Sequence, residues 1–203
     1  MRRALILVFS LVLLASVGAR SVQAQASTTR GFNIGIHFTG SSLTLEDSDR
    51  FNSGGGGLWL GYGFNRTVEL FLQADGTKFD VENADVEGDW TMGHADIGVR
   101  FHFANSLRSW VPYLQVAATA RAVTVQDGYI NDVAQADDVS MVGGGLTLGG
   151  GIAFYFNETF SADLQLLWTG GTFTRIEAGS VSYNDLDLDA QSTRFDIGIS
   201  WWP

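Results

Sequence analysis

Residues 143–168 read GGGLTLGGGIAFYFNETFSADLQLLW, and this stretch decides the fold. Leu146, Leu148, Gly150, Ile152, Phe154 and Phe156 recur at period two, with Gly145, Thr147, Gly149, Gly151, Ala153 and Tyr155 between them. After Asn157-Glu158 the alternation resumes. Phe160, Ala162, Leu164, Leu166 and Trp168 face one way, and Ser161, Asp163, Gln165 and Thr169 mostly the other. Side chains alternate across an extended strand, so this is an antiparallel hairpin with one oily face and one face of glycine and small polar groups.

The same rhythm runs outward along the chain. Residues 31–39 set Phe32, Ile34, Ile36 and Phe38 against Asn33, Gly35 and His37. Further strands are predicted at 55–64, 68–74, 90–103 and 110–125, and a closing strand sets Phe195, Ile197, Ile199 and Trp201 against Arg194, Asp196, Gly198 and Ser200. Long polar connections are expected at 40–53, 75–89, 126–142 and 175–191, and short turns after the second, fourth and sixth strands. Eight strands with this alternation make an all-β, antiparallel, up-and-down barrel with both termini on the short-turn side. GGGLWLGYG at 55–63 and FNRT at 64–67 match GGGLTLGGG at 143–151 and FNET at 156–159. Either duplicated half-barrels or convergent use of Gly and Asn turns accounts for that repeat. Asn65-Arg66-Thr67 and Asn157-Glu158-Thr159 also fit the glycosylation sequon, but beside such strands they read as turns.

An oily face on a closed barrel points to the centre or to the outside. A water-soluble barrel would show solvent a face rich in Lys and Glu, yet the chain has one lysine, Lys78, and it falls in a predicted loop. Glycine, serine and threonine suit the narrow interior of eight strands. Phe64, Phe103, Trp110, Phe156, Phe160 and Trp201 stand beside the short turns or the chain end, where an interfacial aromatic girdle belongs. Lipid outside is the reading that explains all three.

Composition narrows the function. Residues 1–24 read as a secretory signal: Arg2 and Arg3, an apolar run over 4–17, and Val22-Gln23-Ala24 before the cut. Residues 25–203 then form one barrel domain. Loss of Arg2, Arg3 and Arg20 takes the formal charge from −10 to −13, which argues against nucleic acid as a partner. No cysteine is present, which removes disulfides, thiolate metal sites and a lipid-anchored N-terminus. The predicted long loops hold 17 of the 22 acidic side chains, so one end of the barrel is an acidic surface.

With these residues the chain resembles the small eight-stranded outer-membrane barrels, the OmpA/OmpX-like and OmpW-like group, over about residues 27–203. The resemblance implies a bacterial outer-membrane location, short periplasmic turns and four long extracellular loops. It also implies outer-membrane lipid and lipopolysaccharide as surroundings, and the barrel-assembly machinery as a partner during insertion. Members usually end on an outward aromatic; here Ser200-Trp201-Trp202-Pro203 leaves Trp201 that role, with Pro203 trailing.

The charges predicted on the inner face are Glu69, Asp96, Arg100, Arg121, Asp163, Arg194 and Asp196, and buried charges need partners. They are expected to form a polar network that plugs the lumen; a narrow ion path gated by the same pairs is the alternative. Some related barrels modify lipid A with His and Ser two apart on a strand face, but His37 is followed by Thr39 and no His-x-Ser occurs. No catalytic residue, cofactor or metal is therefore assigned. The run Asn184-Asp185-Leu186-Asp187-Leu188-Asp189 lacks the glycine of a calcium loop, having Ala190 next, and reads as a strand with carboxylates on one side. The preferred function is a non-enzymatic structural and surface-interaction barrel. A channel for small or apolar solutes, as the OmpW-like resemblance implies, is the alternative, and a lipid A-modifying enzyme a third reading. N-terminal sequencing of the mature protein is expected to begin at Gln25, within about two residues.

Overall fold

The computed structural model describes residues 29–45, 50–79, 87–103, 109–130, 133–134, 138–178 and 181–203. The predicted signal segment, the tips of the predicted long connections and most of the predicted short turn at 104–109 lie outside them. The strands are β1 (Gly31–Leu45), β2 (Arg50–Gly63), β3 (Val68–Phe79), β4 (Glu87–His102), β5 (Trp110–Ile130), β6 (Val133–Ala134), β7 (Val139–Tyr155), β8 (Phe160–Ala178), β9 (Val181–Tyr183) and β10 (Leu188–Trp201). Eight of them are long and pair antiparallel with their neighbours around a ring, in the order β10-β1-β2-β3-β4-β5-β7-β8. The ring closes because β10 also pairs with β8, with Ile197 opposite Leu164, and β1 with β10, with Ile36 opposite Ile199. The short β6 and β9 only extend β5 and β8 at the long-loop end.

The oily face points outward. Ile36, Phe38, Leu58, Leu72, Ile97, Leu114, Leu146, Leu166 and Ile199 are exposed, Phe38 at 81%. Their strand neighbours Asn33, His37, Gln73, Asp96, Thr119, Thr147 and Ser161 are buried. Water would not tolerate so continuous an apolar belt, whereas hydrocarbon favours it. The six girdle aromatics named above are all exposed at the short-turn end.

Two turns there are built alike. Asn65 Oδ1 accepts from the backbone N–H groups of Thr67 and Val68 at 2.8 and 2.9 Å, and Asn157 Oδ1 from those of Thr159 and Phe160, both at 2.8 Å. The asparagines thus hold the turn backbone, which is the work the repeated FNxT motif requires. The alternation holds to the chain end. Trp201 faces outward, while Trp202 turns in, donates from Nε1 to Ser161 Oγ at 3.2 Å and packs against Tyr155.

At the opposite end the strands run further than apolar alternation predicts. Segments 40–45, 50–53, 75–79, 87–89, 126–130, 139–142, 175–178 and 188–191 belong to strands, where loops were expected. The reason is a change of solvent. Outward positions there become polar, as at Thr44, Lys78, Gln126 and Gln191, while inward positions become apolar. Leu43, Phe79, Met92, Val123, Phe173 and Ala190 form a buried cluster that caps the lumen, with Leu186 and Leu188 packed on it. The acidic run splits accordingly. Its leucines join the cap, Asp185, Asp187 and Asp189 are exposed, and regular strand begins only at Leu188.

A charge on the lipid face is expected to cost about 2–4 kcal/mol near the membrane midplane. Leu164→Arg should therefore lower the urea midpoint of the barrel in lipid vesicles, while Thr44→Arg, beyond the belt, should leave it within error.

Candidate functional site

Inward parity carries the polar side chains of all eight long strands into one narrow lumen, where they sort into layers. Nearest the short turns, Val111, Tyr113, Ala153, Tyr155 and Trp202 form an apolar floor. Above it Arg100 is held flat, with its guanidinium 3.8 Å from the ring centroids of both Trp59 and Tyr113. Trp59 in turn stacks on Phe71 at 4.3 Å. The edges of that guanidinium donate to Gln115 at 3.0 Å, to Asp163 at 3.3 Å and to Gln165 at 3.1 Å. Glu69 accepts from Asn33 at 2.6 Å and meets His102 Nε2 at 2.8 Å, and Asn33 accepts the Trp59 indole N–H at 2.7 Å.

The next layer centres on Arg194, which is fully buried and pairs with Asp75 and, at 2.7 Å, with Asp96. Thr119 donates to Asp96 at 2.6 Å, and Thr119, Thr147 and Thr169 form a hydroxyl chain with spacings of 2.5 and 2.7 Å. His37 Nε2 meets Asp75 Oδ1. Gln165 bridges the layers: its Oε1 accepts from Arg100, while its amide donates to Asp196 at 2.7 Å and to Gln73 at 3.1 Å. Gln73 also donates to Asp196, at 2.9 Å. Room for this packing comes partly from glycine. A Cβ at Gly57 would sit 2.5 Å from both His37 Nε2 and Asp75 Oδ1, and at Gly61 2.5 Å from the Asn33 amide nitrogen.

Of the residues proposed from sequence, Glu69, Asp96, Arg100, Asp163, Arg194 and Asp196 all enter this network. Arg121 stands apart. It is buried beneath the apolar cap, donates from Nη2 to the Ala190 carbonyl at 2.8 Å and lies over the Phe173 ring at 4.7 Å. Its Nε and Nη1 have no partner, so it is packed by its faces, not paired with an acid.

Sequence reasoning missed Asp75, which it placed in a loop because apolar alternation stops at Ala74. The inward parity of Glu69, Phe71 and Gln73 continues through Asp75, and that was the available signal. The third histidine, His94, shares a 3.1 Å hydrogen bond with Ser192 Oγ, both buried. This His–Ser contact spans the lumen between β4 and β10 and has no carboxylate hydrogen-bonded to its other ring nitrogen, His94 Nδ1.

Comparison with known proteins agrees with this geometry. A family model described as outer membrane protein beta-barrel domain matches residues 11–201. Neisserial surface protein A (NspA) superposes with a TM-score of 0.62 at 11% identity, covering 84% of this chain and 96% of that one. OprG of Pseudomonas aeruginosa gives 0.59 at 15% identity, covering 89% and 98%. Ail, the attachment invasion locus protein of Yersinia pestis, gives 0.56 at 16% identity, covering 85% and 98%. No curated protein matched the sequence.

Removing one partner of a buried pair strands the others, at a cost of about 3–5 kcal/mol. Arg194→Met leaves Asp75 and Asp96 without their counter-ion. It should lower stability by that amount in urea unfolding followed by tryptophan fluorescence, and Arg121→Met, which abandons no acid, by clearly less.

Proposed function

The chain belongs to the outer membrane protein β-barrel domain family, whose place is the bacterial outer membrane, and from that premise we propose a non-enzymatic barrel: a rigid membrane body that presents an acidic outer surface. The observation that carries this reading is the filled lumen. An apolar floor, two cross-linked charged layers and an apolar cap follow one another, and the network ties distant strands together through buried side chains. Every internal charge pair that links two strands resists shear of the barrel, which suits a stiffening role in the envelope.

A lipid-modifying reaction needs its histidine and serine where an acyl chain reaches them. His94 and Ser192 face the lumen, behind the strand wall that lipid wets, and no carboxylate orients the ring. A channel needs a continuous wet path, and Arg194, Arg100 and the cap lie across the one available. In this reading the first 24 residues are removed on export, and lipopolysaccharide flanks the belt.

The outer end sets the class of surface partner. Lys78 pairs with Asp89 at 2.8 Å and Arg175 with Glu177 at 3.0 Å, and Asp185, Asp187 and Asp189 are exposed at the same end. Ail has been solved with the heparin analogue sucrose octasulfate, but carboxylates on this chain's rim repel such a polyanion, so a basic or cation-bridged partner fits better.

Reconstituted in planar bilayers, the protein is expected to show no steady conductance, and its overexpression to leave lipid A mass spectra unchanged. Solute-dependent flux that substitutions at Arg121 or Asp96 abolish would establish the channel reading in place of this one.

A further inference from the structure

One group of lumenal side chains has more ligating capacity than the network uses. His37, Asp75 and Asp196, from β1, β3 and β10, are all buried, and one donor atom from each lies within 4.8 Å of the other two. The Asp196 carboxylate is held through one oxygen only. Its Oδ2 accepts from the Gln73 and Gln165 amides, while its Oδ1 is buried with no partner. Asp75 is held on both oxygens: Arg194 grips Oδ2, the Gln73 amide donates to Oδ1 at 3.1 Å and to Oδ2 at 3.2 Å, and Oδ1 also faces His37 Nε2. Beside these groups a cavity of about 20 Å³ is lined by His37, Trp59, Arg100, Asp163, Gln165 and Asp196. That is room for one water-sized ligand.

Charge points the same way. Among the described residues, the lumenal carboxylates Glu69, Asp75, Asp96, Asp163 and Asp196 face three guanidinium groups, those of Arg100, Arg121 and Arg194. Set against these carboxylates alone, the guanidinium groups of the described lumen are two positive charges short, and Arg121 lies away from the deficit, under the cap. Buried charge of one sign calls for compensation.

We propose that His37, Asp75 and Asp196 form a lumenal binding site for one divalent first-row cation of the Zn²⁺ class. One imidazole nitrogen with two carboxylate oxygens is a donor set that zinc accepts, and a water in the adjoining cavity completes four-coordination. Calcium and magnesium prefer six or more oxygens, which this site does not offer. The far oxygens of both carboxylates are already fixed by amide and guanidinium N–H groups, the outer support that metal-ligating carboxylates usually have. A cation there ties β3 to both strands of the β1–β10 seam, and supplies the two missing charges at once.

The full-length mature barrel, folded in detergent and stripped with a chelator, is titrated with Zn²⁺ by calorimetry. One tight equivalent is expected. His37→Ala and Asp196→Asn should each weaken it by more than about tenfold. Ser200→Ala, which alters the cavity wall but no ligand, should retain it, with heat-modifiable gel mobility showing which variants are folded. Should the ligand variants not fold, X-ray absorption of the Zn²⁺-loaded wild type decides. One imidazole with oxygen ligands at about 2.0–2.2 Å is the expected shell. No stoichiometric uptake by the wild type, unchanged affinity in both ligand variants, or an all-oxygen shell from the outer acids would each overturn the site.

Discussion

Hydrocarbon offers a backbone N–H no partner, so every strand that crosses it must find hydrogen bonds along both edges. That requirement closes the sheet here. β10 pairs with β1 on one side and β8 on the other, and no long strand is left with a free edge inside the belt. Closure at eight strands then fixes how wide the interior can be, and the interior is just wide enough for side chains to fill. The glycine-rich inner faces of β2 and β7 follow from the same limit, because a full complement of large residues would not fit. Where Gly57 and Gly61 stand, charged and amide groups of neighbouring strands use the space.

A narrow interior far from water cannot hold loose charge. Arg194 and Arg100 are therefore bound from several directions, one by carboxylates and hydroxyls, the other by aromatic faces and amides. Such arrangements do not make a barrel more stable than a well-packed apolar lumen would. They make it particular: each charge has one place where it is satisfied, and strand register must deliver it there. A slip of one residue would put Arg194 in lipid and Phe195 in the lumen.

The barrel itself was legible because one chemical contrast, apolar against small and polar, repeats at period two for its whole membrane-crossing length. Legibility ended where the outside medium changes from lipid to water. There the contrast reverses: Leu43, Phe79 and Phe173 point inward while Thr44, Lys78 and Thr174 point out, and a rule tuned to oily outer faces reads the segment as loop. Asp75 was lost at that boundary, and with it the recognition that His37 has a buried partner. Arg121 shows a different limit. Parity placed it in the lumen correctly, but whether an inward arginine finds an acid or an aromatic face depends on what the opposite wall presents, and Phe173 is 52 residues away in sequence. Trp202 keeps the inward parity of Arg194, Asp196 and Ser200, but that its indole N–H meets Ser161 Oγ depends on a strand 41 residues away.

The two ends of the molecule can accordingly answer to different pressures. The lumenal network is made among the lumen's own side chains, through contacts whose geometry the eight long strands set. Among the described residues, the outer rim reaches the capped lumen through leucines that rest on the cap, while its carboxylates stay outside the lumenal network. Asp185, Asp187 and Asp189 lie on a segment whose neighbouring leucines are anchored and whose acids are not. A surface carried on such a base can change its charge and shape without loosening the membrane body beneath it. That separation is what a display platform requires, and a conducting pore, whose selectivity is made in the lumen, would need the opposite arrangement.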